Sequence, residues 1–331
     1  MNEALRNKLD LFARNKEVMS KSFKWDNSYI YPACSLIYTN KGLQADVEKL
    51  KYCCDIIKNN TGVFSCFRGI AKLALAANLS IEENPDDMFN SYLKANNCLK
   101  GHFGMSASTY LPFASAIMSK LAQADEFEII AEKAGHIFKL IKKDHPILTS
   151  GEDAAYAVLF ALSDVWGSAT DIAAEVERCY QRTKALCFNS NSIQSLAFVL
   201  ALSPENSDIK CSRTIEFFNA FKENNHKFGT SYELSSLGIL ATSTHEVQPI
   251  VQEICQADDY LKGLKGFGNF MFGSKIRLMY ASMLTASEYS IDNHVCLANT
   301  VNSVTSMIIA QQAAIIAAVA AASAASTSSS S

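Results

Sequence analysis

Ser108–Ser115 reads STYLPFAS, and Ser28–Ser35, 80 residues earlier, reads SYIYPACS. Each opens an apolar stretch with a proline, Pro32 or Pro112, near its start. Proline does little harm in the first turn of a helix, where its missing N–H has no partner to lose. Taken alone, the Tyr-rich segment around Tyr31 reads as a strand. Its twin two periods later makes it the start of a helix, because both belong to a longer repeat.

Seven apolar stretches finish on a small polar residue, at Asn40, Ser80, Ser119, Ser163, Ser203, Ser243 and Ser287, in steps of 40, 39, 44, 40, 40 and 44 residues. A period near 40 marks stacked αα-hairpins, none of which buries its apolar face alone. In each unit the first helix, A, is apolar and rich in small residues, as in Ala154–Leu162 (AAYAVLFAL) and Leu196–Leu202 (LAFVLAL). The second, B, is charged and amphipathic, as in Ile172–Ala185 (IAAEVERCYQRTKA) and Arg213–Lys222 (RTIEFFNAFK). A helix that is apolar all round is buried, and one with a charged face lies outside. The A helices therefore form an inner layer and the B helices an outer one. Six positions before each terminal residue stand Cys34, Ala74, Phe113, Ala157, Ala197, Leu237 and Ala281, most of them small enough for close helix approach.

The expected fold is all-α: about seven αα-hairpins closed into an α/α toroid, with an open α-solenoid as the alternative. The expected organisation is a capping helix over residues 1–22, one hairpin-repeat domain over 23–300, and an Ala/Ser-rich helix and disordered tail over 301–331. In the first segment Leu5, Leu9 and Phe12 fall on one helical face, and no secretory signal precedes them. The tail is long enough to span a bilayer. Gln311 and Gln312 at its centre, the dominance of Ala and the lack of Lys or Arg flanks argue against a span.

Hydrophobic residues make up 49% of the chain, the formal net charge is −3 and the pI is near 6.1. Lys and Arg are spread along the repeats, so the clustered basic footprint of a nucleic-acid binder is missing. Ten cysteines without an export signal read as reduced thiols in a cytoplasm. They contain no CxxC, and most lie in apolar helical patterns, so they are read as core side chains and no metal or cofactor is expected. The histidines His136, His226, His245 and His294 do not cluster at ligand spacing and are read as surface or packing residues.

The B-to-A loops carry the candidate site. They read VFSCFR (63–68), HFGMS (102–106), HPILTSGED (145–153), FNSN (188–191), FGTSYE (228–233) and GFGNFMFGS (266–274). An aromatic beside Gly and hydroxyl residues is read as recurring at the same place each time. Ser, Thr and Asn are ordinary N-caps, yet helix N-termini also present free N–H groups to anions. Arg68, Gln194, Lys275 and Arg277, with Tyr232 and His102, are the candidate ligand-binding residues. The three cations oppose the dipole of an A-helix start, which a bound anion would explain. Asp153, Glu152, Glu233 and His145 are the candidate acid–base residues. The glycines at 263, 266, 268 and 273 fit neither the Walker nor the dinucleotide spacing and serve a long crossing instead.

The stretches Ile57–Gly69 (IKNNTGVFSCFRG), His145–Asp153 (HPILTSGED), Gln194–Leu196 (QSL), Lys265–Gly268 (KGFG) and Arg277–Ala281 (RLMYA), with Ala310–Ala314 (AQQAA) before the Ala/Ser tail, carry a resemblance. On them the chain resembles the bacterial domain-of-unknown-function family catalogued as 4003, over essentially its whole length. The resemblance implies a soluble bacterial protein and brings no activity or site.

The leading functional expectation is a cytoplasmic repeat protein that binds a small anionic molecule or a protein or peptide partner on its B-to-A face. The alternative is a toroid enzyme, a lyase or hydrolase using the acid–base candidates. A third reading is a peripheral membrane protein working through the tail.

Overall fold

The computed structural model describes residues 1–24, 28, 30–69, 72–163, 165–243, 246–268 and 272–289. The tail 301–331, His245 and His294 lie outside the described residues. Those described form fourteen α-helices, short 3-10 turns and no strand. After α1 (Glu3–Ser22), A helices alternate with B helices. The A helices are α2 (Ile30–Asn40), α4 (Lys72–Ser80), α6 (Leu111–Leu121), α8 (Ala154–Leu162), α10 (Ser190–Ala201), α12 (Leu234–Ser243) and α14 (Ser274–Tyr289). The B helices are α3 (Val47–Asn59), α5 (Pro85–His102), α7 (Phe127–Asp144), α9 (Ala169–Thr183), α11 (Ser207–Glu223) and α13 (Val247–Gly263). Tyr31 lies in a helix, as its repeat partner requires.

The A helices are buried along most of their length: Ile30–Thr39 in α2 and Leu73–Ser80 in α4 are buried without a break. Their buried polar side chains turn back on their own helix. The Thr39 hydroxyl donates to the Ser35 carbonyl at 2.8 Å, that of Ser115 to Pro112 at 2.8 Å and that of Ser282 to Leu278 at 2.9 Å. This back-bonding satisfies a hydroxyl that has no access to water. The B helices bury one stripe, Leu50, Cys53, Cys54 and Ile57 in α3 for example. None of the nine described cysteines is bridged, and six are buried.

The described residues fall into two compact units. One holds Arg14–Gly135 and Ser150–Val158. In it α2 packs on α4 and α4 on α6, α3 packs on α5, and each B helix lies against the A helix that follows it. Asn15, fully buried, donates to the Leu43 carbonyl and accepts from the Ala45 N–H, both at 2.9 Å, which ties the end of α1 to the turn after α2. Close crossing is visible where α5 meets α7: a Cβ at Gly135 would stand 2.7 Å from His102 Cβ.

The other unit holds Met1–Ala13, His136–Thr149 and the described residues from Leu159 onward. Here α10, α12 and α14 pack in series, as do α9, α11 and α13. The start of α1 docks on α13 and α14. The Phe12 ring lies 5.7 Å from Phe267 and 5.3 Å from Tyr280, Lys8 pairs with Glu288 at 2.6 Å, and the Tyr260 hydroxyl donates to Asp10 at 2.6 Å. No helix among the described residues is long and apolar enough to cross a membrane.

Candidate functional site

Side-chain caps start helices of both kinds. Asp46, Ser168, Asn189 and Asn206 cap B or A helices with a side-chain oxygen on a first-turn N–H. Asp153 accepts from the Ser150 N–H at 2.9 Å and Glu233 from the Ser231 N–H at 3.0 Å, so each carboxylate holds the loop that precedes it. Gly229 makes room for this in its loop: a Cβ there would lie 2.3 Å from Glu233 Cδ. Glu152 shares the 3-10 turn of Asp153, and its side chain lies outside the described residues.

Two of the three cations that oppose the dipole of the A helices, Arg68 and Arg277, are answered inside the fold. Arg68 turns back to α3. Its Nε donates to Thr61 Oγ1 at 3.1 Å, and its Nη2 donates to the Lys58 and Thr61 carbonyls. It thereby fills orphan carbonyls at the C-terminal end of a B helix, where a cation is favoured. Arg277, 3% exposed, clamps Asp258 of α13 with Nε at 2.8 Å and Nη2 at 3.2 Å, while Nη1 donates to the Phe267 carbonyl at 3.1 Å. Burial pushes the Asp258 carboxyl above its ordinary range, against the opposing pull of Arg277. Lys275 is exposed in the first turn of α14, and Tyr232 is half-buried.

The two loop histidines each meet a glutamate of a B helix. His145 Nε2 lies 2.6 Å from Glu177, its ring 4.8 Å from that of Tyr180. His102 Nε2 lies 2.9 Å from Glu128, and that bond, with a second from Cys98, holds the Glu128 carboxyl below its ordinary range. Gln194 and Thr149 meet in the interior, with Gln194 Nε2 donating to Thr149 Oγ1 at 2.7 Å. Gln194 Oε1 is buried without a protein partner. Of the ten candidates, Gln194 is thus the one whose buried polar atom is left over for something else.

The large apolar residues of the loops include a buried set and an exposed set. Phe228, Phe267 and Phe272 are buried: Phe228 stacks 5.3 Å from Phe221, and Phe272 lies 5.1 Å from Phe267. Phe64, Met105, Ile147 and Phe188, in the loops after α3, α5, α7 and α9, are more than nine-tenths exposed.

Two charged clusters escaped the sequence reading. Between α9 and α11, Lys210 Nζ meets Glu175 at 2.7 Å and donates to the Ser203 carbonyl at 2.8 Å, over the Trp166 ring at 5.5 Å. Glu175 also accepts from Ser207 at 2.9 Å and from Arg178 Nε at 2.8 Å. Burial raises the Glu175 carboxyl, but Lys210, Ser207 and Arg178 together outweigh it and hold it below its ordinary range. A signal was present: Lys210, Thr214, Phe217 and Phe221 share one helical stripe, which puts a lysine in a buried row. The second cluster joins His226, after α11, with Asp258 and Asp259 of α13. Nothing in the sequence brings residues 32 positions apart together.

A family model described as "Protein of unknown function (DUF4003)" matches residues 15–313, and the chain belongs to that family. No curated protein and no solved structure matches it.

Proposed function

We propose that this member of the family is a cytoplasmic helical-hairpin scaffold that binds a protein or peptide partner through the apolar tips of its B-to-A loops. The carrying observation is the exposure of Phe64, Met105, Ile147 and Phe188, one in each of four successive B-to-A loops. Single exposed apolar residues are ordinary on a folded surface. Exposed apolar side chains on loops held by packed helices have the character of binding anchors, which favour aromatic side chains. Asp153, Glu233, His145, Arg68 and Arg277 are meanwhile engaged in shaping their own loops. That favours binding over the lyase or hydrolase alternative, which needs a free acid and base.

Photo-crosslinking side chains placed at 64 and 188, with position 43 as an exposed control at the other end of a hairpin, test the reading in cells. Discrete adducts from the two loop positions and none from the control are expected. Equal labelling from all three, or none, overturns it.

Gln194 supports a second reading, a small polar molecule seated against its buried amide oxygen. A thermal-shift screen against metabolites checks it, with Gln194→Leu expected to abolish any shift. Closure of about seven hairpins stays within the proposal. Small-angle scattering tests it by separating a compact closed array from an extended open one.

A further inference from the structure

The second charged cluster sets one imidazole nitrogen against the carboxylates of two adjacent residues. The chain leaves α11 through Asn224 and Asn225. Asn225 takes a left-handed backbone, φ 61°, and the His226 N–H reaches back to the Phe221 carbonyl at 2.9 Å. This is a helix-ending motif in which asparagine tolerates the left-handed turn. It fixes the direction in which His226 leaves the helix.

The same turn fixes the tautomer. His226 Nδ1 lies 2.9 Å from the Asn224 carbonyl oxygen, which can only accept, so Nδ1 carries the proton. In the neutral ring Nε2 then presents a lone pair. It faces Asp258 Oδ2 at 3.6 Å and Asp259 Oδ1 at 3.5 Å, both acceptors and both beyond good hydrogen-bonding distance. All three ligand atoms lie within 4.8 Å of one another.

The two nitrogen–oxygen separations are close to those a metal ion creates. Zinc binds imidazole nitrogen and carboxylate oxygen at roughly 2.0–2.2 Å in tetrahedral geometry, which spaces neighbouring ligand atoms ~3.4 Å apart. The outer contacts also match a metal site, where a ligating histidine donates its other N–H to a carbonyl and a ligating carboxylate is itself hydrogen-bonded. Here the Asn224 carbonyl serves His226, and Arg277 serves Asp258. A metal ion takes the deprotonated Nε2, so any proton held there is released on binding. His226 is half-buried, Asp258 buried and Asp259 exposed, so the site opens to solvent on the Asp259 side.

We infer that His226, Asp258 and Asp259 form a site for a divalent first-row transition ion such as zinc, with one coordination position left for water or an exogenous ligand. A mixed nitrogen and oxygen donor set suits these ions better than magnesium or calcium, which take oxygen ligands throughout. Three protein ligands with a fourth position open is the pattern of a reactive zinc site, whereas structural sites are closed by four. The site links the α11–α12 loop to the last turns of α13. It uses none of the exposed loop-tip residues and does not depend on partner binding there.

The test uses the full-length protein stripped with chelator and titrated with cobalt(II), then competed with zinc(II). One equivalent of cobalt is expected, with visible d–d absorption of tetrahedral strength and no near-ultraviolet thiolate band. Asp259→Asn and His226→Gln should each weaken binding by at least about tenfold, the lower end of what even an outer-partner change does. Asp259 is exposed, so its variant keeps the fold, and its unfolding temperature without metal should equal that of the parent. No stoichiometric binding, a thiolate band, or binding unchanged in both variants would overturn the assignment.

Discussion

The two buried-charge clusters of the α9–α14 unit share a composition and differ in completeness. At Glu175 every valence is used: lysine, arginine and serine donate to the carboxylate, and the remaining Lys210 contacts are a carbonyl and an indole face. At His226 the ring nitrogen stands 3.5 and 3.6 Å from two carboxylates, of which Asp258 is held by Arg277 and Asp259 opens to solvent. A saturated cluster in a low-dielectric interior holds two helices in one arrangement and has nothing left to offer a ligand. An incomplete one at the edge of a loop is where a ligand adds what the protein leaves out. Burial of charge alone does not mark a site; the unfilled donor or acceptor does.

The largest expected effect breaks the first cluster. Lys210→Met leaves Glu175 charged and buried, and it should cost about 3–5 kcal/mol in denaturant unfolding. Adding Glu175→Gln should recover a large part of that loss. A single-variant cost below about 1 kcal/mol would mean that water reaches the pair.

Next comes a steric test of a loop scaffold that carries no net charge change. Gly229→Ala drives a Cβ into the Glu233 carboxylate and should destabilise by about 1–3 kcal/mol. Glu233→Ala in the same background should relieve much of it, because the clash is with that side chain.

The pH dependence sharpens the contrast further. Glu175 is held below its ordinary range in the folded protein, so the unfolded chain binds its proton first as pH falls. Its stabilisation is fully present above the unfolded value, about 4.3, and is lost as pH drops through the lower folded value. Stability measured between about pH 5 and pH 2 should therefore fall more steeply in the parent than in Lys210→Met. Equal slopes would remove Lys210 as the cause.

The smallest effect on stability belongs to the exposed tips. Phe64→Ser and Phe188→Ser should each stay within about 0.5 kcal/mol of the parent, since neither side chain is packed. Loss of partner crosslinking without loss of stability would separate binding from folding.

The helical pattern was legible because it rests on local rules. Pro32 and Pro112 in matching first turns, and apolar A helices against amphipathic B helices, follow from backbone sterics and the need to bury a face. The candidate site was legible only as a set of loops. Arg68 shows why. Its sequence position places it before α4, yet its side chain folds back onto the carbonyls of α3. Which of two neighbouring helix ends a long side chain serves is a matter of reach in space. Glu233 and Asp153 likewise turned from acid–base candidates into loop braces by bonds to N–H groups two and three residues away.

By itself the sequence determined the helical class, the alternation of buried and amphipathic helices and the loops that join them. Each of these is written in periodicities of a few residues or in a repeat near 40. Only the tertiary structure decided which loop aromatics are buried, as Phe228 and Phe267 are, and which stand in solvent, as Phe64 and Phe188 do. It alone set Lys210 against Glu175 and His226 against Asp258 and Asp259. The physical reason is distance along the chain. Pairings across 32 or 35 residues depend on how successive hairpins stack, and no local propensity encodes that register.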